Sequence, residues 1–135
     1  MSNTASSSGV MAGKKGLIMG VANDRSIAWG IAAKLAEQGA ELAFTFQGEA
    51  LQKRVEPLAA SVGSDLVIPC DVTDEASMDA TFDVLKERWG SLDFVLHAIA
   101  YSDKEELKGG YVDTSRDNFA RTMDISVYSF TDVAR

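Results

Sequence analysis

The sequence predicts an α/β chain: a doubly wound parallel sheet with helices on both faces, three αβα layers deep, cut short after its fourth strand and the helix that follows. Three observations carry this expectation. From Lys14 onward, short apolar runs of strand length alternate with longer stretches of helical period, which is how successive βαβ units read in sequence. Gly39, Gly63 and Gly90 each close one of the first three helical stretches, the position where a helix end favours glycine. The 135 residues are 46% apolar and 24% charged, enough for one globular core and too apolar for a disordered chain.

The parts follow in order. Residues 1–13 are rich in Ser, Ala and Gly and hold no apolar segment, so they read as a loose tail or cloning remnant, neither signal peptide nor membrane helix. Residues 14–135 then read as the N-terminal half of a single dinucleotide-binding domain. Residues 16–20 form the first strand. Residues 26–38 follow as a helix with Ile27, Ile31 and Leu35 on one face, and Gly30 is expected on the side toward the sheet. Residues 42–46 form the second strand. The next helix carries Leu51, Val55, Leu58 and Val62 on one stripe, and Pro57 within it predicts a kink or a late start.

Residues 66–70 make strand three. Its Pro69 cannot donate to a ladder and favours a sheet edge, which the order 3-2-1-4 supplies. The third helix, residues 74–89, repeats Met78, Phe82, Leu85 and Trp89, and strand four covers residues 92–99. After a loop holding Gly109 and Gly110, a capping region from Asp113 to Ser115 opens a last helix with the stripe Phe119, Met123, Val127, Phe130 and Ala134. No stop signal follows, so this helix reads as cut within its length. Such a chain would leave a strand edge and an apolar stripe uncovered, and should associate.

Charge and rare residues narrow the function. Thirteen basic against 20 acidic residues give a net charge of −7, which argues against nucleic acid or an anionic membrane as partner. One cysteine, Cys70, allows no internal disulfide and suits a reducing cytoplasm. The one histidine, His97, leaves no Ser-His-Asp set or metal cluster, and a packed, hydrogen-bonded role is expected for it.

A ligand of this architecture lies across the carboxyl ends of the strands, at the switch point between strands one and four. Gly20 would let a phosphate approach the backbone, and Ser26 and Ile27 open a helix whose free N–H groups favour an anion. The G-x-G-x-x-G fingerprint is absent, and Ser26 equally suits an ordinary helix cap. At the end of strand two, Gln47 stands where an acidic ribose ligand is usual, with no cation before Lys53; this points to NADH over NADPH, the alternative being a solvated loop amide. Asp71 and the Val72 N–H could read an adenine edge by one acceptor and one donor, or Asp71 could merely turn the chain. Ala98, Ile99 and Ala100 are small enough to leave room for the nicotinamide ribose.

Taken together in order, several stretches resemble the bacterial NADH-dependent enoyl-acyl carrier protein reductases, a divergent short-chain dehydrogenase/reductase family with a Rossmann-like fold. They are Gly20-Val-Ala with Ser26-Ile27-Ala and Gly30; Gly39-Ala-Glu-Leu-Ala-Phe-Thr with Gln47; Cys70-Asp71-Val72; His97-Ala98-Ile99; and Asp124-Ile-Ser with Tyr128-Ser-Phe. The resemblance implies that Gly20, Ser26 and Ile27 hold the pyrophosphate of NAD, Gln47 and Asp71-Val72 the adenosine, and Ile99-Ala100 the nicotinamide ribose. It places Ser102 near the acyl group of an enoyl-acyl carrier protein substrate. Ala98 and Ala100 depart from the serine and glycine often found there. A homotetramer and a cytoplasmic setting are also implied.

The family's Tyr-x6-Lys pair, whose tyrosine stabilises the developing enolate, is not among these residues, so no catalytic residue is assigned. Tyr101 and Lys108 have the same spacing, but Tyr101 leaves strand four into a loop, whereas the family pair lies on a later helix. The competing readings are another short-chain dehydrogenase, such as a ketoacyl reductase, and a nucleotide-binding fragment without chemistry.

Overall fold

A computed structural model describes residues 9–135. Its strands β1 (Lys15–Met19), β2 (Glu41–Phe46), β3 (Val67–Pro69) and β4 (Phe94–His97) form one sheet in the order β3-β2-β1-β4. Every pairing is parallel, with Leu17 opposite Ala43 on one side and Val95 on the other. Helices α1 (Ile27–Glu37), α2 (Glu49–Ser61) and α3 (Glu75–Trp89) make the crossovers. After β4, two short 3-10 turns (Lys104–Leu107 and Tyr111–Asp113) lead into α4 (Arg116–Met123), a π-helical segment (Asp124–Tyr128) and α5 (Ser129–Ala134).

Central strands of a parallel sheet are buried on both faces, and their side chains alternate between them. Leu17 and Met19 of β1 join Ala43 and Ile68 beneath Met78 and Leu85 of α3 and Val133 of α5. Ile18, between them, joins Leu42 and Phe44 beneath Ala28 and Ala32 of α1 and Val55 and Ala59 of α2. Two cores on opposite faces of one sheet are the three layers expected. Pro69 sits on edge strand β3 opposite Phe46, where its missing N–H breaks no ladder on the open side.

Several local expectations are corrected. The face of α1 that meets the sheet is Ala28 and Ala32; Ile27 is 81% and Ile31 39% exposed. Two small side chains let α1 approach β1 closely, which the bulkier neighbouring stripe would prevent. Gly30 is exposed, and a Cβ there would touch nothing within 4 Å. Helix α2 starts at Glu49 and runs through Pro57, which is exposed, so a late start is not seen. The last helix runs unbroken from Arg116 to Ala134 as expected, but a π-helical turn within it shifts its facing. Gly9 to Gly13, read from sequence as part of the tail, form turns tied to the body by the Met11 N–H, which donates to the Gln38 carbonyl at 2.9 Å. Residues 1–8, the rest of that segment, lie outside the described residues.

Candidate functional site

The carboxyl ends of all four strands open into one cleft of about 460 Å³. Gly20, Gln47, Asp71, Val72, Ile99 and Ala100 line it. Ser26, Ile27 and Ser102 are not among the lining residues. The sheet order explains the convergence: β1 and β4 are neighbours whose crossovers depart in opposite directions, so their loops diverge and leave a crevice.

Gly20 follows β1 with φ of +110°, and a Cβ there would collide with the carbonyl oxygen of Ala98. Glycine is therefore demanded by the crossing of two strand ends before any ligand is considered. The loop that follows is closed by Ser26, whose Oγ accepts from the N–H of Ala22 at 2.9 Å and of Asn23 at 3.1 Å. Ser26 occupies the N-cap position, yet its hydroxyl makes no capping bond to α1, contrary to the ordinary-cap alternative. Among the described residues the N–H groups of Ile27 and Ala28 have no acceptor and the first turn of α1 holds no acidic side chain. The positive end of that helix is open to an anion.

At the end of β2, Gln47 is exposed and lines the cleft. Asp71 performs the turn considered for it and also lines the cleft. Its Oδ1 accepts from the Thr73 N–H at 2.9 Å and the Thr73 hydroxyl at 2.7 Å, making a turn, while its N–H donates to Ser77 Oγ at 2.9 Å. Among the described residues, Oδ2 and the Val72 N–H have no partner. The helix cap is a separate residue, Asp74, which accepts from Ala76 N–H at 3.0 Å. Cys70, between these loops, is buried and contacts Met78 Sδ at 3.6 Å; burial pushes its thiol pKa up.

On the β4 side, His97 Nε2 lies 2.7 Å from Ser129 Oγ, which itself donates to the Ile125 carbonyl at 2.5 Å. With the serine proton engaged, the imidazole must donate, which fixes a proton on Nε2. Its ring meets Phe130 edge-on at 5.6 Å. This histidine anchors α5 to the sheet. Ser102 Oγ accepts from Asn118 Nδ2 at 3.3 Å and Thr122 Oγ1 at 3.2 Å, and the Ser126 hydroxyl accepts from the Tyr101 N–H and donates to the Tyr101 carbonyl. The loop after β4 is thus fastened to the following helices. Lys108 pairs with Glu105 at 3.0 Å, while Tyr101 carries Arg121 against its ring, so the two share no site.

Sequence reasoning missed Arg121 and Ile125, which line the cleft from above. A signal existed. Arg121, Ile125, Ser129 and Val133 recur four apart, but the more apolar stripe beginning at Phe119 drew the assignment. No group of three or more His, Cys, Asp or Glu able to hold a metal occurs among the described residues, and no helix among them is long and apolar enough to cross a membrane.

A four-stranded parallel sheet in this order, helices on both faces and a cleft at the switch point define a Rossmann-like α/β protein. The comparisons with known proteins narrow the class. The family model described as Enoyl-(Acyl carrier protein) reductase matches residues 20–135, and the chain belongs to that family. It is 69% identical over 127 residues to enoyl-[acyl-carrier-protein] reductase [NADH] 2 of Rhizobium meliloti, covering 94% of this chain and 47% of that protein. Among solved structures, FabI from Candidatus Liberibacter asiaticus matches with a TM-score of 0.92 at 59% identity, covering 94% of this chain and 49% of the other. The enoyl-(acyl-carrier-protein) reductase of Anaplasma phagocytophilum, in complex with NAD, matches with a TM-score of 0.90 at 60% identity, over 93% and 48%. The chain spans about half the length of the curated relatives it matches.

Proposed function

We propose that this chain is the cofactor-binding half of an NADH-dependent enoyl-acyl carrier protein reductase of fatty-acid synthesis. One observation supports this most: six of the eight residues expected to contact NAD, Gly20, Gln47, Asp71, Val72, Ile99 and Ala100, line a single cleft. In this reading the open first turn of α1, with Ser26 and Ile27 at its start and Gly20 behind it, receives the pyrophosphate. Gln47 takes an adenosine hydroxyl. Asp71 Oδ2 and the Val72 N–H read the adenine edge, and the Ile99-Ala100 backbone borders the nicotinamide ribose.

NADH fits better than NADPH because the cleft offers no cation beside Gln47: its one lining arginine, Arg121, stands on the β4 side. In the sheet, β2 and β4 are two strand spacings apart, about 10 Å. Bound NADH would supply a hydride for the β-carbon of a trans-2-enoyl thioester. The chain's own part is to hold and orient that donor, and to place Ser102 and the loop after β4 beside the acyl group. The proposed partners are an enoyl-acyl carrier protein and further copies of the same protein, in a cytoplasmic setting.

The test uses a protein carrying this chain together with the half that its relatives possess. NADH absorbance should fall with trans-2-butenoyl thioester and not with an acetoacetyl thioester. The reverse preference would make the protein a ketoacyl reductase. Cofactor binding without turnover on either would leave a nucleotide-binding module.

A further inference from the structure

Arg121 is unlike the other cations of the chain. It is the one lysine or arginine lining the cleft, and it has neither a salt bridge nor a hydrogen bond among the described residues. Its guanidinium carbon stands 4.9 Å from the centroid of the Tyr101 ring, a stacking contact that restrains the group while leaving its N–H fork unspent. Tyr101 in turn is held by Ser126, which accepts from its N–H at 2.9 Å and donates to its carbonyl at 3.2 Å. A cation restrained at a ligand cleft without a counter-ion, on a chain of net charge −7, is arranged to receive an anion. Both ligands of the proposed reaction carry phosphate, and a guanidinium fork matches phosphate oxygens.

We infer that Arg121, on the reading given above, is a binding residue for a phosphate ester in the cleft, carried either by the thioester's prosthetic arm or by the cofactor. The restraint by Tyr101 lowers the order that must be imposed on the side chain when the ligand arrives. The β4 side of the cleft keeps this cation away from Gln47, so it does not serve a 2′-phosphate.

The experiment compares the protein having both halves with its Arg121→Gln and Arg121→Lys variants, after matched thermal melts. Two substrates are used: trans-2-butenoyl coenzyme A, whose arm carries phosphate, and trans-2-butenoyl N-acetylcysteamine, whose arm does not. NADH affinity is read separately by fluorescence titration. Arg121→Gln should raise KM for the coenzyme A ester roughly tenfold, the loss of one charge-assisted hydrogen bond, and leave KM for the N-acetylcysteamine ester unmoved; Arg121→Lys should recover most of the loss. A weakened NADH affinity with an unmoved KM ratio assigns the phosphate to the cofactor instead and also supports the inference.

Equal changes on both thioesters with NADH affinity unmoved, or no change anywhere, overturn it. Should the glutamine variant not fold, the unsubstituted protein answers: added salt should raise KM for the phosphate-bearing ester alone or weaken NADH binding, and a flat response in both sinks the assignment. If the unsubstituted protein reduces no thioester, the reductase reading fails and this inference with it; activity with an unmoved ratio and unmoved NADH affinity removes the Arg121 assignment only.

Discussion

In the proposed function Asp71 serves the fold and a ligand with different atoms. Its two carboxylate oxygens are divided: Oδ1 accepts from the Thr73 turn, and Oδ2 has no partner among the described residues. Asp71→Asn preserves an acceptor for the turn and replaces the free acceptor with a donor. Stability should change by less than about 0.5 kcal/mol, while NADH affinity in the two-half protein drops roughly tenfold; equal losses in denaturant midpoint and affinity would show that Asp71 works only in the turn. Cys70, one position earlier, makes a different prediction. Burial among apolar neighbours raises its thiol pKa in the fold, so the native state holds the proton longer than the unfolded chain. That contribution is complete below the ordinary thiol range and is lost as pH rises through the raised native value. Urea midpoints should therefore fall more steeply on the alkaline side for the native sequence than for Cys70→Ala. Parallel pH profiles would refute this.

Between β4 and the cleft, the helical arm from Arg116 to Ala134 is where sequence and structure part most. A stripe of Phe119, Met123, Val127 and Phe130 is easy to read, yet these four are 47%, 42%, 53% and 60% exposed. The inward face is Ile125, Ser129 and Val133, set by the π-helical turn and by the hydrogen bonds of Ser126 and Ser129. Periodicity identifies an apolar face but cannot say which partner covers it. The same reason misplaced Ile27 and Gly30 in α1, where small alanines won the contact with β1. By contrast the two central strands, buried on both faces, were legible to within one residue at each end, while strands three and four, expected at 66–70 and 92–99, are the shorter Val67–Pro69 and Phe94–His97. The strand ends at Gly20, Gln47, Asp71 and Ile99 line the cleft as expected. Ser129→Ala tests the arm directly. It removes the acceptor for His97 Nε2–H from a site that is 1% exposed at the serine, which should cost about 1 to 2 kcal/mol. A midpoint indistinguishable from the native chain would mean that the His97–Ser129 bond does not hold the arm in place.

The described chain as a body has two unequal sides. β3 ends the sheet with three residues, one of them Pro69, a protected edge. β4 ends it with Val95 37% exposed, beside a second cleft of about 680 Å³ lined by Phe82, Leu92 and Val133. The Phe119 stripe lies on the arm following that open edge, so unpaired backbone groups and apolar side chains face water on the same half. Monomeric proteins seldom leave such surfaces bare, and the proposed self-association follows. Expressed alone, these 135 residues should sediment as concentration-dependent oligomers. If the stripe drives this, Phe119→Glu with Phe130→Glu should shift the distribution to monomer with little loss of helical circular dichroism, since both side chains are already about half exposed. If the open edge drives it, the double variant should remain associated, while Val95→Lys, placing a charge on β4, should dissociate it. A compact monomer at every concentration in the unsubstituted chain would show that neither surface is adhesive and would remove the physical ground for a multi-copy assembly.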